Sequence, residues 1–134
     1  MEAPLIGVDL VEPERLKDRL RELCELREIF TEAETAFCTS QLHPEEHLAA
    51  RFCAKEAVVK ALGIDGFDPT EIEVVGGGAD VRLRLHGHAL ERARELDVHV
   101  TISMSHLPSM ACAVALALPS PIRGQPIRHF IPPS

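Results

Sequence analysis

The 134-residue chain has no tryptophan and no tyrosine, and only five phenylalanines. Its core must therefore be packed from aliphatic and small side chains, and the aromatic platforms on which single-stranded nucleic acids stack are missing. Cysteine occurs four times, at Cys24, Cys38, Cys53 and Cys112, but never in a C-x-x-C spacing. That pattern argues for free thiols in apolar surroundings rather than a disulfide framework or a thiolate metal site. Positive charge is in deficit, with 14 Lys and Arg against 21 Asp and Glu and a net charge of -7. The whole-chain field thus attracts neither nucleic acid nor an anionic membrane. No stretch approaches the roughly 18 uninterrupted apolar residues of a membrane span, and Met1-Glu2-Ala3-Pro4 lacks the basic-then-apolar pattern of a secretory leader. These absences leave a single domain expected in the cytoplasm, with no nucleic-acid and no membrane partner.

What is present is a clear succession of elements. Leu5-Ile6-Gly7-Val8-Asp9-Leu10-Val11 is apolar apart from Gly7 and Asp9 and predicts a strand. Pro13 opens a helix expected to reach Arg27, with Leu16, Leu20, Leu23 and Leu26 at helical spacing. Thr31 and Glu34 form a capping-box pattern ahead of a short helix through Cys38. Pro44 suits a first turn, and the alanine-rich run from Glu45 to Leu62 predicts the longest helix, with Gly63 at its C-terminal cap. Glu71–Val75 and Val81–Leu85 alternate as strands around Gly76-Gly77-Gly78 and predict a hairpin. A glycine run leading into a strand rather than a helix is not the setting of a phosphate-binding loop. Gly87 to Leu96 predicts a fourth helix, and Val98–Met104 and Met110–Leu118 two final strands joined by a turn over residues 105–109. Strand, three helices, two strands, helix, two strands is an α+β order: one compact domain with antiparallel sheet against a long central helix. The segment from Pro119 onward holds five of the ten prolines and predicts a tail.

Three groups of polar residues stand out from this scaffold. In the long helix Phe52, Glu56 and Lys60 fall four apart on one face, with Lys55 beside them. A Glu-before-Lys pair at that spacing is also an ordinary surface ion pair. Asp9 lies within an apolar strand, where a carboxylate needs a cation nearby; a helix lysine or arginine could supply it, and so could a metal ion. If Asp9 and Glu56 converge, they offer two hard oxygen ligands suited to magnesium, flanked by lysine, which is equipment for phosphoryl-group chemistry. Ser103, Ser105 and His106 cluster at the end of an apolar strand. His86 and His88 flank Gly87, where a strand-to-helix junction would splay them apart rather than pair them on a metal.

These residues carry a resemblance. Ile6-Gly7-Val8-Asp9-Leu10-Val11-Glu12, with Arg15 behind it, resembles the N-terminal signature of the holo-acyl-carrier-protein synthase type of 4'-phosphopantetheinyl transferase. Ala54-Lys55-Glu56-Ala57 followed by Lys60-Ala61-Leu62-Gly63 is similar to its second signature. Ile72–Val75, Leu85-His86-Gly87-His88-Ala89 and Ser103-Met104-Ser105-His106 extend the likeness in order from Leu5 to Leu118. The resemblance implies a magnesium-dependent transfer of the 4'-phosphopantetheine arm of coenzyme A onto a serine of an apo acyl carrier protein of fatty-acid or polyketide synthesis, releasing adenosine 3',5'-bisphosphate. By the same resemblance Asp9 and Glu56 hold magnesium, Lys60 joins them in catalysis, and Lys60, Ser105 and His106 contact coenzyme A. Arg15, Arg19 and Arg21 would dock the acidic carrier protein, and the chain would form a homotrimer with its sites at subunit boundaries. Residues 1–118 would be the transferase domain and 119–134 the tail.

The chain departs from the family pattern at several places. Phe52 stands for a tryptophan and Cys53 for the usual alanine; Ile64-Asp65-Gly66-Phe67 replaces a short Thr-Gly turn, and no charged pair follows His106. These departures motivate an alternative expectation, a divergent module that binds coenzyme A or a carrier protein without transferring anything.

Overall fold

A computed structural model describes the backbone of residues 5–23 and 26–120, with the side chains of residues 19 and 21–23 outside that description. Cys24 and the expected proline-rich tail after Ser120 lie outside the described residues. The elements run β1 (Leu5–Val11), α1 (Pro13–Leu23), α2 (Glu32–Thr39), α3 (Pro44–Leu62), β2 (Ile72–Val75), β3 (Arg82–Leu85), α4 (Gly87–Leu96), β4 (Val98–Leu107) and β5 (Met110–Pro119). The strands form two antiparallel groups: a three-stranded sheet ordered β1-β5-β4, and the β2-β3 hairpin.

The 19-residue α3 is the axis of the domain and packs on all three strands of the larger sheet. The contact is made by small side chains. Ala111, Ala113, Ala115 and Ala117 of β5 are buried against Ala54, Ala57 and Ala61 of the helix. Gly7 brings β1 closer still: a Cβ there would lie 2.9 Å from the amide nitrogen of Ala61 and 3.0 Å from the carbonyl carbon of Ala57, and closer yet to the Ala57 oxygen. A glycine is needed here for proximity to the helix backbone, and β1 reaches α3 only because it is one. Gly63 ends the helix in the left-handed conformation, at φ 64°, donating its amide to Val59 as expected of a C-terminal glycine.

Several boundaries differ from the sequence reading, most by a single residue as where β3 begins at Arg82 rather than Val81. α1 is described over Pro13–Leu23, and where the sequence predicts helix reaching Arg27 a 3₁₀ turn covers Leu26–Glu28. The turn directs Ile29 and Phe30 into the interior, where they are 8% and 1% exposed. The strand expected from Glu71 begins at Ile72, because Asp68 caps a 3₁₀ turn over Pro69–Glu71 by accepting from the Thr70 amide at 2.9 Å. Ser105 and His106 are not turn residues: β4 runs on to Leu107, and Pro108 and Ser109 alone make the connection to β5. The alternation of side chains along a strand then separates the two. His106 pairs with buried Ala111 on the helix side of the sheet, while Ser105 pairs with Cys112 on the other side.

That other side is open. Ile6, Val8 and Leu10 of β1 are 68%, 56% and 63% exposed, and they pair in register with Leu116, Val114 and Cys112 of β5. The sheet thus buries an alanine face under α3 and leaves an aliphatic face uncovered among the described residues.

Candidate active site

Gly7 and Asp9 point to the same side of β1, so the close approach at Gly7 delivers Asp9 to α3. The Asp9 Oδ1 accepts from Lys60 Nζ at 3.1 Å, and the same ammonium donates to the Val8 carbonyl at 2.9 Å. The Asp9 side chain is 19% exposed and that of Lys60 53%, so the pair sits at the surface rather than in the core. The cation demanded by the strand carboxylate is therefore a helix lysine.

Cys53 marks where Glu56 enters. Cys53, Glu56 and Lys60 follow one stripe of the helix at intervals of three and four, and the Cys53 thiol is fully buried with its sulfur 3.5 Å from the Ala111 carbonyl. This thiol is pushed up to about 12, chiefly by burial and then by the carboxylate of Asp9, with Cys112 and Glu56 adding in the same direction. Two carboxylates thus bear on one buried sulfur from a strand and a helix. The donor set fits a magnesium ion: two hard carboxylates on rigid elements, partly open to solvent, with a lysine beside them.

Lys55 is not part of that face. It is 1% exposed, and its ammonium donates to Glu34 Oε1 at 2.8 Å, to the Pro69 carbonyl at 2.9 Å and to the Ile72 carbonyl. Glu34 is equally buried and committed. It completes the capping box by accepting from the Thr31 amide at 3.0 Å, and its second oxygen accepts from the Val74 amide at 3.0 Å. Thr31 in turn donates to Glu73 at 2.8 Å. One ion pair thereby joins α2, α3 and β2, and fixes the rotation of α3 that turns Glu56 and Lys60 toward Asp9. Burial lowers the Lys55 pKa, and Glu34 opposes the shift by pairing and hydrogen bonding.

His106 belongs to a second constellation, at the N-terminal end of α3. Its Nδ1 lies 3.0 Å from Glu46 Oε1, and its ring packs edge-on to His47 with centroids 4.8 Å apart. Phe37 of α2 holds the other side of His47 at 6.0 Å, and the Arg51 guanidinium lies 4.2 Å over the Phe37 ring. A cleft of about 300 Å³ opens here, lined by Phe37, His47, Arg51, Gly77, Met104 and His106 among others. Asp9 and His106 both face α3, but from opposite edges of the sheet with β5 between them. One chain therefore pairs Asp9 with Lys60 in one place, with Glu56 on the same stripe of α3, and holds His106 in another.

The remaining expected residues are more dispersed. Ser105 faces away from both places. Arg15 is exposed, 3.8 Å from Glu12, while Arg19 and Arg21 lie in α1 with their side chains outside the described set. His86 and His88 turn to different glutamates, Glu73 at 3.5 Å and Glu71 at 3.4 Å, and form no pair. Among the described residues the cysteines are free, and no helix is long and apolar enough to cross a membrane. Glu46, His47 and Arg51 escaped the sequence reading, as did the pairing of Glu34 with Lys55. The available signal was the four-residue repeat His43, His47, Arg51, Lys55, a cationic stripe on one side of α3.

Comparison with known proteins agrees with this architecture. Residues 5–115 match the model of the 4'-phosphopantetheinyl transferase superfamily. A holo-[acyl-carrier-protein] synthase of Moorella thermoacetica is 43% identical over 116 residues, covering 82% of this chain and 90% of that protein. One of Desulfovibrio desulfuricans is 38% identical over 130 residues, covering 84% and 97%. A solved complex of the Chronobacterium ammoniagenes enzyme with coenzyme A superposes with a TM-score of 0.79 at 30% identity, covering 90% of this chain and all of the other. The family match over residues 5–115 and the identity to these enzymes show that the chain belongs to the holo-[acyl-carrier-protein] synthases of the 4'-phosphopantetheinyl transferase superfamily.

Proposed function

We propose that this protein transfers the 4'-phosphopantetheine arm of coenzyme A to a serine of an apo acyl carrier protein, with Asp9 and Glu56 as the magnesium ligands. The observation that carries the assignment is the placement of the Asp9 carboxylate against α3, 3.1 Å from Lys60 Nζ and beside the thiol that also feels Glu56. When bound, magnesium supplies charge neutralisation at the pyrophosphate of coenzyme A. The carrier serine oxygen attacks the phosphorus bearing pantetheine, the bond from that phosphorus to the bridging oxygen breaks, and adenosine 3',5'-bisphosphate leaves. Lys60 is a compact point charge on a long stem, half exposed, and can move from Asp9 to a phosphate oxygen as negative charge builds on the leaving group. One of the two carboxylates accepts the serine proton. The nucleophile belongs to the partner, so this chain needs no nucleophile of its own.

His106 binds a coenzyme A phosphate in the cleft between α2, α3 and β4, and Ser105 is assigned to the same cofactor. Because Asp9 and His106 flank α3 from opposite edges of the sheet, a complete site is best assembled from two copies. The uncovered aliphatic face of Ile6, Val8, Leu10 and Val114 favours such an assembly, a homotrimer. Arg15, Arg19 and Arg21 of α1 are assigned to docking the acidic carrier. The free thiols among the described residues favour a reducing compartment, the cytoplasm. Incubation with an apo carrier protein, coenzyme A and magnesium, followed by intact-mass analysis of the carrier, should show the arm added. A folded enzyme that modifies no fatty-acid or polyketide carrier would refute the assignment.

A further inference from the structure

The geometry points to a proton-coupled phosphate site in the His106 cleft, in which His47 and His106 together take up a proton when the anion enters. The inference rests on the coenzyme A reading above and adds to it a second binding residue and a pH dependence.

The argument begins at the ring nitrogens. His106 commits Nδ1 to Glu46 Oε1 at 3.0 Å. A carboxylate accepts, so Nδ1 carries the hydrogen, and in a neutral imidazole that is the only one. Nε2 is then a lone pair. A phosphate oxygen is also an acceptor, so it can bond to Nε2 only once that nitrogen has gained a proton. Glu46, whose side chain is 9% exposed, stands in place to pair with the imidazolium once that proton is taken up.

His47 is the neighbour that opposes a second positive ring in the cleft. Burial lowers its pKa first, and His106 and Arg51 lower it further, with His43 in the same sense and Glu46 opposed. Among the described residues the charged groups that face the two rings are His43, Glu46 and Arg51 from α3 and its N-terminal cap, and His106 from β4. α2 contributes only the Phe37 ring, and residues 77–79 and 81 line the opposite wall without a titratable group. Arg51 supplies a second sign of an anion site. It is 2% exposed, one terminal nitrogen donates to the Gly76 carbonyl, and its Nε has no hydrogen-bond partner among the described residues. A buried guanidinium lining the cleft with an unused N–H is a ready donor to a phosphate. An incoming dianion reverses the repulsion between the rings and Arg51, so protonation and binding reinforce each other.

The test is calorimetric titration of the whole protein with adenosine 3',5'-bisphosphate at pH 7.5, repeated in buffers of different ionisation enthalpy. Phosphate monoesters, with a second pKa of about 6, are already dianionic at that pH. The expected result is net uptake of up to about one proton per ligand, with affinity weakening up to about tenfold per pH unit from 7 to 8.5. His47→Gln should reduce the uptake, and His47→Phe, which keeps the ring contact with Phe37, should do the same if the glutamine variant folds poorly. Binding with the same heat in every buffer, or uptake unchanged in a folded His47 variant, would overturn the inference while leaving the coenzyme A reading intact. Absence of any binding, by coenzyme A or the bisphosphate, would overturn both.

Discussion

Replacing Gly7 by alanine tests how the strand-helix crossing creates the site. The new methyl carbon would lie 2.9 Å from the Ala61 nitrogen and 3.0 Å from the Ala57 carbonyl carbon, and would overlap the Ala57 oxygen. Ordinary contacts between non-bonded carbons are about 3.5 to 4.0 Å, so β1 and α3 must separate by roughly 1 Å. The obstacle is helix backbone, which has no rotamer to escape into. Overpacking of this kind costs about 1 to 3 kcal/mol and occasionally more, and the damage extends beyond stability. Asp9 is two residues along on the same face, so a retreat of β1 lengthens its approach to Lys60 and Glu56. A displacement of about 1 Å at reacting groups costs on the order of 100-fold in rate. Gly7→Ala should therefore lower the urea midpoint and reduce transfer by about two orders of magnitude in protein that remains folded. Gly66→Ala is the control: its φ of +68° carries backbone strain, but nothing lies within 4 Å of the added carbon. It should cost about 1 to 2 kcal/mol and leave transfer unchanged. A Gly7→Ala protein with native stability and full activity would refute the reasoning.

Other consequences follow from the same contacts. Lys55→Met strands the buried Glu34 carboxylate and should cost about 3 to 5 kcal/mol in urea unfolding, a loss that an exposed surface pair would not show. Burial raises the Glu73 pKa, but hydrogen bonds from Thr31 and His86 and the charge of Arg84 outweigh it and hold the carboxyl below its ordinary value. Its contribution to stability is then fully present above the unfolded value of about 4.3 and is lost as pH falls through the lower folded value. Glu73→Gln should accordingly flatten the acid limb of the stability curve below that range and leave the neutral region parallel. Val8→Glu places charge at the centre of the exposed β1 face and should convert the proposed trimer to monomers in light scattering; an unchanged mass would remove that face from the interface.

The elements most legible in the sequence were those with local causes. Pro44 and Gly63 bracket α3, Thr31 and Glu34 cap α2, and the alternation on either side of Gly76 makes the hairpin. The pairing of Asp9 with Lys60 was open because residues 51 positions apart carry no periodic relation. Lys55 misled for a different reason. Helical spacing sorts residues onto faces but does not say which faces are covered, and α3 is enclosed by the sheet on one side and by α2 and β2 on another. The stripe of Arg51 and Lys55 is buried as a consequence, and the stripe of Glu56 and Lys60 reaches solvent. Ser105 and His106 looked like a turn because Ser, His and Pro crowd together. A two-residue connection suffices there, and the strand period then divides the cluster between two faces.

The central claim is that Asp9 and Glu56 act together on a divalent cation in arm transfer. Intact-mass assays of an apo carrier protein with coenzyme A, run across a magnesium series for the native enzyme, Asp9→Asn and Glu56→Gln, test it most directly. The account predicts magnesium-dependent transfer by the native protein and, in either folded variant, a loss of transfer that higher magnesium only partly restores. Full transfer by both variants at the native magnesium requirement would contradict it.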